Sequence, residues 1–226
     1  MDNDKIDGGK DGAAGDLVTY LTAAKTSSIT VNLLRGFARG RGEDTLGDVE
    51  NIWTDYGADH IVGNHKPNAV YSAEGNDTIV GNGGDDCLAP GGSENEIYGG
   101  EGFDFFSTRH YYNCLKEPYD FGLVEGVVFG GMTVDLADGR ADDGDATSIL
   151  HSIEGAFGYA TETDHLWGDD STNHLYGGGA TDMLHGRGGD DLLDGGGNYD
   201  SLDGGDGNDT CINGEANVAC EDSRRR

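Results

Sequence analysis

Polar and apolar residues recur with a nine-residue period along two stretches of the chain. In each stretch an Asp or Asn occupies every ninth position, and an apolar residue follows it two places later. The polar positions are Asp59, Asn68, Asp77, Asp86, Asn95 and Asp104, then Asp164, Asn173, Asp182, Asp191, Asp200 and Asp209. The apolar positions are Ile61, Val70, Ile79, Leu88, Ile97 and Phe106, then Leu166, Leu175, Leu184, Leu193, Leu202 and Cys211. Two unbroken registers of this kind do not arise from composition bias, and they indicate a repeat protein whose units stack on one another.

Residues 204–212 show the repeat unit clearly, with six glycine-rich residues followed by three residues of strand. Because successive side chains of a strand point to opposite faces, the apolar middle residue faces inward and its neighbours face outward. Two repeats make one coil with strands on opposite faces, so equivalent residues two repeats apart lie on the same edge in adjacent coils, about 4.8 Å apart. The pattern predicts an all-β fold, a β-helix-like solenoid of parallel strands with two arrays of nonapeptide repeats.

Composition and charge narrow the class of protein. The 226 residues include 41 glycines and 3 prolines, which fits many tight turns. Forty-three acidic and 14 basic residues give a net charge of −29, which disfavours nucleic acid and anionic membranes as partners. Such acidity is also typical of a disordered tail or a halophilic surface, but the repeats favour a folded chain neutralised by bound cations. No apolar run is long enough to cross a bilayer, so we expect no membrane span.

The stacked acids themselves suggest a cation. The two-repeat spacing places Asp182 over Asp200 and Asp191 over Asp209. Carboxylates this close repel by roughly 1 kcal/mol per pair even at the dielectric constant of water. The glycine turns also direct backbone carbonyls into the gap, which makes an all-oxygen site. Such ligands in a flexible geometry favour Ca²⁺ over zinc or copper.

These units resemble the repeats-in-toxin (RTX) nonapeptide G-G-x-G-x-D-x-U-x, in which U is a large aliphatic residue. The resemblance implies a right-handed parallel β-roll with Ca²⁺ held between turns that are two repeats apart. Each ion would be bound by positions two, four and six of one turn and positions one, three and six of the later turn. Position six supplies its side chain, and the other positions supply backbone carbonyls.

Carried onto this sequence, the resemblance implies five metal sites. In the first array they combine Asn82, Gly84 and Asp86 with Gly99, Glu101 and Asp104, and Ala73, Gly75 and Asp77 with Pro90, Gly92 and Asn95. In the second array they combine Gly178, Ala180 and Asp182 with Gly195, Gly197 and Asp200; Arg187, Gly189 and Asp191 with Gly204, Asp206 and Asp209; and Asp169, Ser171 and Asn173 with Gly186, Gly188 and Asp191. Asp59 and Asp164, which open the two registers, are further candidate ligands. Two departures from the pattern argue against sites that would use them: Lys66 replaces a glycine, and Asn68 replaces an acid.

The segments before the two arrays resemble one another, since residues 29–33 match residues 132–136. We therefore expect a duplication. The first half, residues 1–118, contains lead-in strands and repeats at about 54–107. The second half, residues 119–226, contains lead-in strands, repeats at about 159–212 and a C-terminal cap. The lead-ins are interpreted as longer strands that extend the same roll.

Four cysteines are compatible with two disulfides and an oxidising compartment, or with free thiols. Cys211 and Cys220 are nine residues apart in the apolar register, so we expect them to pair across the last coil and to stabilise the end of the array. Cys87 and Cys114 are then the second expected pair.

The expected function is that of a secreted calcium-binding protein that folds when it meets extracellular calcium and has a structural or interaction role. Extracellular polysaccharide or a cell surface is a candidate partner. An enzyme is not expected, because neither H-E-x-x-H nor G-x-S-x-G occurs. Two alternatives stay open: a carbohydrate-binding or adhesive module that uses Trp167, Tyr176 and His185, and the non-catalytic C-terminal part of a larger secreted hydrolase.

Overall fold

The computed structural model describes residues 3–10, 15–21, 27–40, 42–107 and 131–224. The chain consists of two compact units, Met1–Leu123 and Val124–Arg226. The boundary expected near residue 118 lies outside the described residues and stays a prediction. None of the described residues belongs to a helix that is long and apolar enough to cross a membrane.

Short strands make up the first unit. They are β1 (Lys5–Asp7), β2 (Leu17–Tyr20), β3 (Thr30–Asn32), β4 (Phe37–Arg39), β5 (Glu43–Gly47), β6 (Asn51–Thr54), β7 (His60–Val62), β8 (Ala69–Tyr71), β9 (Thr78–Gly83), β10 (Cys87–Ala89), β11 (Glu96–Glu101) and β12 (Phe105–Ser107). One sheet has the order β1-β5-β4-β3-β7-β9-β11, and the other has the order β2-β6-β8-β10-β12. Successive repeats therefore alternate between the two sheets, as a β-roll requires.

The second unit repeats this plan. Its strands are β13 (Thr133–Asp135), β14 (Arg140–Asp142), β15 (Thr147–His151), β16 (Gly155–Phe157), β17 (His165–Trp167), β18 (His174–Tyr176), β19 (Met183–Gly188), β20 (Leu192–Asp194), β21 (Ser201–Asp206), β22 (Thr210–Ile212), β23 (Ala216–Val218) and β24 (Asp222–Arg224). One sheet runs β15-β14-β13-β17-β19-β21-β23, and the other runs β16-β18-β20-β22-β24. The two C-terminal strands continue the two sheets beyond the last repeat.

The repeat strands pair in parallel, each with the strand two repeats further along the chain. Ile61 lies beside Ile79, and Leu175 lies beside Leu193. Every apolar residue of the two registers is at most 2% exposed. Each such side chain contributes roughly 1.5–3 kcal/mol by leaving water. The predicted all-β parallel roll with a stacked apolar core is confirmed.

The lead-in segments, interpreted from the sequence as longer strands that extend the same roll, pair differently from the repeat strands. They do extend the sheets, but β3, β4 and β5 pair antiparallel, as do β13, β14 and β15. A tight turn after the first strand of each set causes the reversal. In this turn Asn32 Oδ1 accepts the Arg35 N–H at 2.7 Å, and Gly36 takes a φ of +67° that favours glycine.

The second unit has the same lead-in turn. Asp135 Oδ1 accepts the Asp138 N–H at 3.0 Å, and Gly139 has a φ of +63°. A Cβ on Gly139 would also lie 2.7 Å from Leu150 O, so the turn leaves no room for a side chain. The duplication seen in the sequence thus extends to the details of this turn.

The proposed aromatic platform of Trp167, Tyr176 and His185 is not assembled. Trp167 and His185 lie in β17 and β19 of one sheet, whereas Tyr176 lies in β18 of the other. Because consecutive repeats alternate between sheets, residues one repeat apart never share a face. Tyr176 instead stacks on Phe157 of β16, with ring centroids 4.6 Å apart and planes 11° apart.

Candidate metal sites

In seven of the twelve repeats, position six is a buried aspartate that is hydrogen-bonded to the backbone two repeats earlier. One carboxylate oxygen, Oδ1, accepts the N–H of the residue 18 positions earlier at 2.8–2.9 Å. The aspartates that do so are Asp77, Asp86, Asp104, Asp182, Asp191, Asp200 and Asp209. Sequence reasoning missed this ladder of hydrogen bonds, which fixes each carboxylate in one orientation.

The second carboxylate oxygen, Oδ2, is the chemically unusual group. In five aspartates of this ladder, all within the described residues, it is buried and has no hydrogen-bond partner; these are Asp86, Asp182, Asp191, Asp200 and Asp209. A buried carboxylate oxygen without a donor is costly, because its desolvation is not compensated. The environment of these oxygens therefore fits an electropositive ligand.

Each unpartnered oxygen points over the glycine at position one of its own turn. A Cβ on Gly81 would lie 2.1 Å from Asp86 Oδ2 and 2.6 Å from the carbonyl oxygen of Gly99. The space over Gly186 is lined in the same way, since a Cβ there would lie 2.1 Å from Asp191 Oδ2 and 2.4 Å from Gly204 O. We call such a space, with a carboxylate oxygen from one turn and a carbonyl oxygen from the turn two repeats later, an oxygen cradle.

A third oxygen cradle lies over Gly177. A Cβ on Gly177 would lie 2.6 Å from Asp182 Oδ2 and 2.8 Å from Gly195 O. The three cradles belong to three of the five metal sites that the sequence implies, and each pairs position six of one turn with position one of the later turn.

Further backbone carbonyls project between the paired turns in both directions. Asn82 O and Gly84 O point toward the later turn, where Cβ atoms on Gly100 and Gly102 would lie 2.3 and 2.1 Å from them. Glu101 O points back, 3.5 Å from a Cβ on Gly83. The structure thus brings five of the six groups implied for this site to the gap between turns 81–86 and 99–104.

The site of Arg187, Gly189 and Asp191 has the same geometry. Cβ atoms on Gly205 and Gly207 would lie against Arg187 O and Gly189 O, at 2.1 and 1.7 Å. Asp206 O points back, 3.7 Å from a Cβ on Gly188.

The site that includes Ala180 is only partly described by such contacts. Gly178 O points toward Gly196, where a Cβ would lie 2.1 Å away, and it also accepts the Gly197 N–H at 2.9 Å. A carbonyl oxygen has two lone pairs, so this hydrogen bond leaves one for a metal.

Asn173 changes the character of a fourth site. Its Oδ1 accepts the Asp169 N–H at 2.7 Å, and its Nδ2 donates to Glu154 O at 3.3 Å. Ser171 O and Gly186 O still face the paired turn, each near a glycine of that turn. This site therefore offers one carboxylate, Asp191, rather than two. Asn68 repeats the arrangement in the first unit, where its Oδ1 accepts the Asn64 N–H at 2.7 Å and its Nδ2 donates to Glu50 O at 2.8 Å.

The fifth implied site, with Ala73, Gly75 and Asp77, differs more. The Ser72 hydroxyl donates to Asp77 Oδ2 and lies 3.2 Å from Pro90 O. Asn95 Oδ1 accepts the Asp77 N–H at 2.9 Å, and a Cβ on Gly92 would meet nothing within 4 Å. In this turn a protein hydroxyl supplies the donor that the Oδ2 atoms of Asp86, Asp182 and Asp191 lack.

Asp59 and Asp164 anchor the lead-in strands. Asp59 Oδ1 accepts the Ile29 N–H at 2.8 Å, and Asp164 Oδ1 accepts the Met132 N–H at 2.6 Å. Asp164 Oδ2 also accepts the Tyr159 N–H at 2.5 Å, so both of its oxygens bind backbone donors. The structure gives these two residues a role in fixing the first coil of each array.

Burial changes the acidity of these carboxylates. It raises the pKa of Asp86 to about 8, although the hydrogen bond from Asn68 opposes the shift, and the charge of Asp104 adds to it. Burial also raises the pKa of Asp182 to about 7 and that of Asp191 to about 6. Without a cation, ionisation of these groups thus opposes the fold near neutral pH, and a bound cation would favour their ionised form.

The donor set fits a hard divalent cation. Carboxylate and carbonyl oxygens at adaptable distances are the ligands of Ca²⁺. Among the described residues, no group of three or more His, Cys, Asp or Glu side chains could hold a metal ion by itself. The cradles instead combine carboxylates with backbone carbonyls.

Arg187 has a second role besides its carbonyl. Its guanidinium donates two hydrogen bonds of 2.7 Å to the carboxylate of Asp135 and one of 2.7 Å to Gly168 O. This ties the lead-in strand β13 to the array. Asn82 holds the same register position in the first unit and donates to Gly63 O at 3.0 Å.

Three glutamates end the ladder of carboxylate-to-backbone bonds. Glu50 Oε2 accepts the Asp16 N–H at 3.0 Å, Glu215 Oε2 accepts the Asp200 N–H at 2.9 Å, and Glu221 Oε2 accepts the Asp209 N–H at 2.7 Å. Their spacing from their partners differs from that of two repeats, so the period gave no signal for them. The longer side chain reaches the N–H where the turn is shorter or irregular.

The expected disulfide at the end of the array is confirmed. Cys211 and Cys220 are bonded, with Cα atoms 5.8 Å apart. Cys87 is also in a disulfide, and its expected partner Cys114 lies outside the described residues.

A roll of parallel strands whose turns line oxygen cradles defines a calcium-binding repeat protein. The family model described as RTX calcium-binding nonapeptide repeat (4 copies) matches residues 71–106, 161–193 and 185–217. These segments of the chain are similar to RTX nonapeptide repeats, which bind Ca²⁺ ions. A search of curated proteins found no match.

Proposed function

We propose that this chain is a secreted module that gains its fold by binding calcium outside the cell and then serves a structural or interaction role. The observation that carries the proposal is the set of buried Oδ2 atoms of Asp86, Asp182, Asp191, Asp200 and Asp209, which have no hydrogen-bond partner. The paired turns of three implied sites would each hold one Ca²⁺ between them. Calcium would supply positive charge to carboxylates that the fold has already oriented.

The charge balance supports a fold that depends on calcium. A chain with a net charge of −29 repels itself when it is compact. Extracellular calcium modules bind with dissociation constants of ~10⁻⁴ to 10⁻³ M. At calcium tenfold above the dissociation constant, each site stabilises the fold by about 1.4 kcal/mol, because the site hardly exists in the unfolded chain.

Secretion and the lack of catalysis belong to the same proposal. Disulfides form and persist in oxidising compartments, and the Cys211–Cys220 bond closes the end of the roll. Once rigid, the roll would present a stable acidic surface to an extracellular partner such as a polysaccharide or a cell surface.

Circular dichroism during a calcium titration tests the proposal. We expect β signal to rise between micromolar and millimolar calcium and to fall again when a chelator is added. If the chelated protein has the full β signal at neutral pH, the proposal fails.

Asp191→Asn is the informative variant, because Asp191 Oδ1 bonds to Asn173 while Oδ2 lines the cradle over Gly186. The change keeps the size of the side chain and removes its charge. We expect the midpoint of calcium binding, measured as bound calcium and not as β signal, to rise about tenfold, equivalent to about 1.4 kcal/mol. Asp145→Asn, at an exposed residue away from the cradles, is the matched control and should leave the midpoint unchanged. Equal midpoints for the two variants would contradict the role of the cradle.

A further inference from the structure

One edge of the first array lacks the glycine that opens the oxygen cradles. Three turns on this edge, each two repeats after the one before, have Thr54, Ser72 and Pro90 at position one. On the neighbouring edge of the same array, position one of every turn is glycine. The same is true of the turns of the second array from residue 168 onward. These glycines are Gly63, Gly81, Gly99, Gly168, Gly177, Gly186, Gly195 and Gly204. We call the turns 54–59, 72–77 and 90–95 the hydroxyl edge.

Ser72 fills the place of a cradle on this edge. Its side chain is fully buried, and its hydroxyl donates to Asp77 Oδ2 while lying 3.2 Å from Pro90 O. These two oxygens correspond to Asp86 Oδ2 and Gly99 O, which line the cradle over Gly81. The serine therefore stands between the carboxylate and the carbonyl that would otherwise share a metal.

The later turn of this pair agrees with this. Thr54 is buried at the corresponding position of the preceding turn, but its hydroxyl and Asp59 Oδ2 are not hydrogen-bonded, so the replacement is confined to turns 72–77 and 90–95. Asn95 contributes a neutral amide where the paired turn of the neighbouring edge has Asp104. Turns 72–77 and 90–95 thus have one position-six carboxylate instead of two, and a protein hydroxyl donates to it.

We propose that the Ser72 hydroxyl replaces calcium between turns 72–77 and 90–95, so that this pair of turns binds no metal ion whereas turns 81–86 and 99–104 of the same array bind one. The proposal rests on the calcium function proposed above and assigns which turns carry it out. Turns 72–77 and 90–95 are then held together without a metal ion, although the family pattern and the sequence spacing would place one there.

Native mass spectrometry of the full chain at saturating calcium counts the ions directly. Gly81→Ser copies the serine into a cradle. Its Cβ would lie 2.1 Å from Asp86 Oδ2 and 2.6 Å from Gly99 O, so the carboxylate and the paired turn must shift to admit it; Gly81 does not have a positive φ that would add backbone strain. We expect this variant to bind one ion fewer than the wild type. It should also keep more β signal in chelator, because the new hydroxyl can donate to Asp86.

The reverse experiment opens a cradle on the hydroxyl edge. Asn95→Asp restores the second carboxylate but keeps Ser72, so we expect no additional ion. Asn95→Asp combined with Ser72→Gly removes the obstruction and should bind one ion more than the wild type. Ser72→Ala is the control, since its Cβ still fills the space, and it should keep the wild-type count.

The outcomes separate the two proposals. A wild-type chain that binds no calcium would defeat the proposed function itself. A wild-type chain that binds calcium, with Gly81→Ser at an unchanged count or with Asn95→Asp alone gaining an ion, would overturn the assignment of turns 72–77 and 90–95. Circular dichroism in calcium confirms that each variant is folded before its ions are counted.

Discussion

Acid should fold the chain in the absence of calcium. Protonation neutralises the same buried carboxylates that a metal would neutralise, and a protonated Asp86 could donate its proton to Gly99 O across the cradle. Burial raises the pKa of Asp86 from 3.8 to about 8, and it raises those of Asp77, Asp164 and Asp182 to about 7.

The direction of the pH dependence of stability follows from these raised pKa values. A carboxyl whose pKa is higher in the folded state than in the unfolded state binds its proton more tightly when folded, so it favours folding at low pH. That stability is complete below about pH 4 and is lost as the pH rises through the folded pKa values, from about 6 for Asp191 to about 8 for Asp86. For Asp86, which is fully buried, the loss at pH 8 is on the order of 5 kcal/mol. Since domains are stable by only ~5–15 kcal/mol, the calcium-free roll should be unstable at pH 8.

The assay is a pH series from 8 to 4.5 on calcium-stripped protein, followed by circular dichroism. We expect β signal to increase as the pH falls, with most of the gain between pH 8 and 6. With saturating calcium the signal should be full at pH 7–8.

Asp86→Asn separates the cradle from the general loss of surface charge. The amide keeps an oxygen for the Asn68 N–H and places a donor toward Gly99 O, so the calcium-free variant should be more ordered than the wild type at pH 8. Glu74→Gln, at an exposed residue, is the matched control and should behave as the wild type. Calcium-free protein with equal β signal at pH 8 and 4.5 would refute the reasoning, as would equal behaviour of the two variants.

Two further predictions concern the second unit. Arg187→Ala should lower stability in calcium by about 1–3 kcal/mol, because it removes charged hydrogen bonds to Asp135 and the one to Gly168 O in a partly exposed site. Arg187→Lys should recover only part of the lost stability, since lysine cannot bind a carboxylate with two parallel hydrogen bonds. Urea unfolding midpoints measure the stability of both variants. A lysine variant as stable as the wild type would contradict the role of the guanidinium. Cys220→Ala opens a nine-residue disulfide loop and should cost roughly 2–3 kcal/mol, seen as a lower thermal midpoint. An unchanged midpoint would mean that the last coil is held by Glu221 and strand pairing alone.

The sequence predicted the parts of the structure that the nine-residue period controls. The apolar column from Ile61 to Phe106 is buried as expected, and each repeat strand pairs with the strand two repeats away. These features follow from the alternation of side chains along a strand and from the burial of one apolar residue per repeat. The period also placed Cys211 in the core, beside the end of the array.

Features outside the period could not be predicted in the same way. The antiparallel lead-ins depend on single turns, at Gly36 and Gly139, that occur once in each unit. Glu215 and Glu221 end the ladder at spacings that the repeat does not contain.

The residue spacing also does not determine the orientation of each carboxylate. The pattern stacks Asp182 over Asp200 but does not tell which oxygen bonds to the backbone and which faces the cradle. The replacement of glycine by Ser72 was visible in the sequence, yet its consequence required the contacts of its hydroxyl.

A crystal structure of the chain at saturating calcium, with anomalous difference maps to identify the metal, tests the account most directly. We expect ions between turns 81–86 and 99–104, between turns 177–182 and 195–200, and between turns 186–191 and 204–209, each about 2.3–2.6 Å from its oxygens. The Oδ2 atoms of Asp86, Asp182 and Asp191 should be among those ligands. Turns without ions at saturating calcium, or ions bound only by exposed acids outside the cradles, would contradict the account.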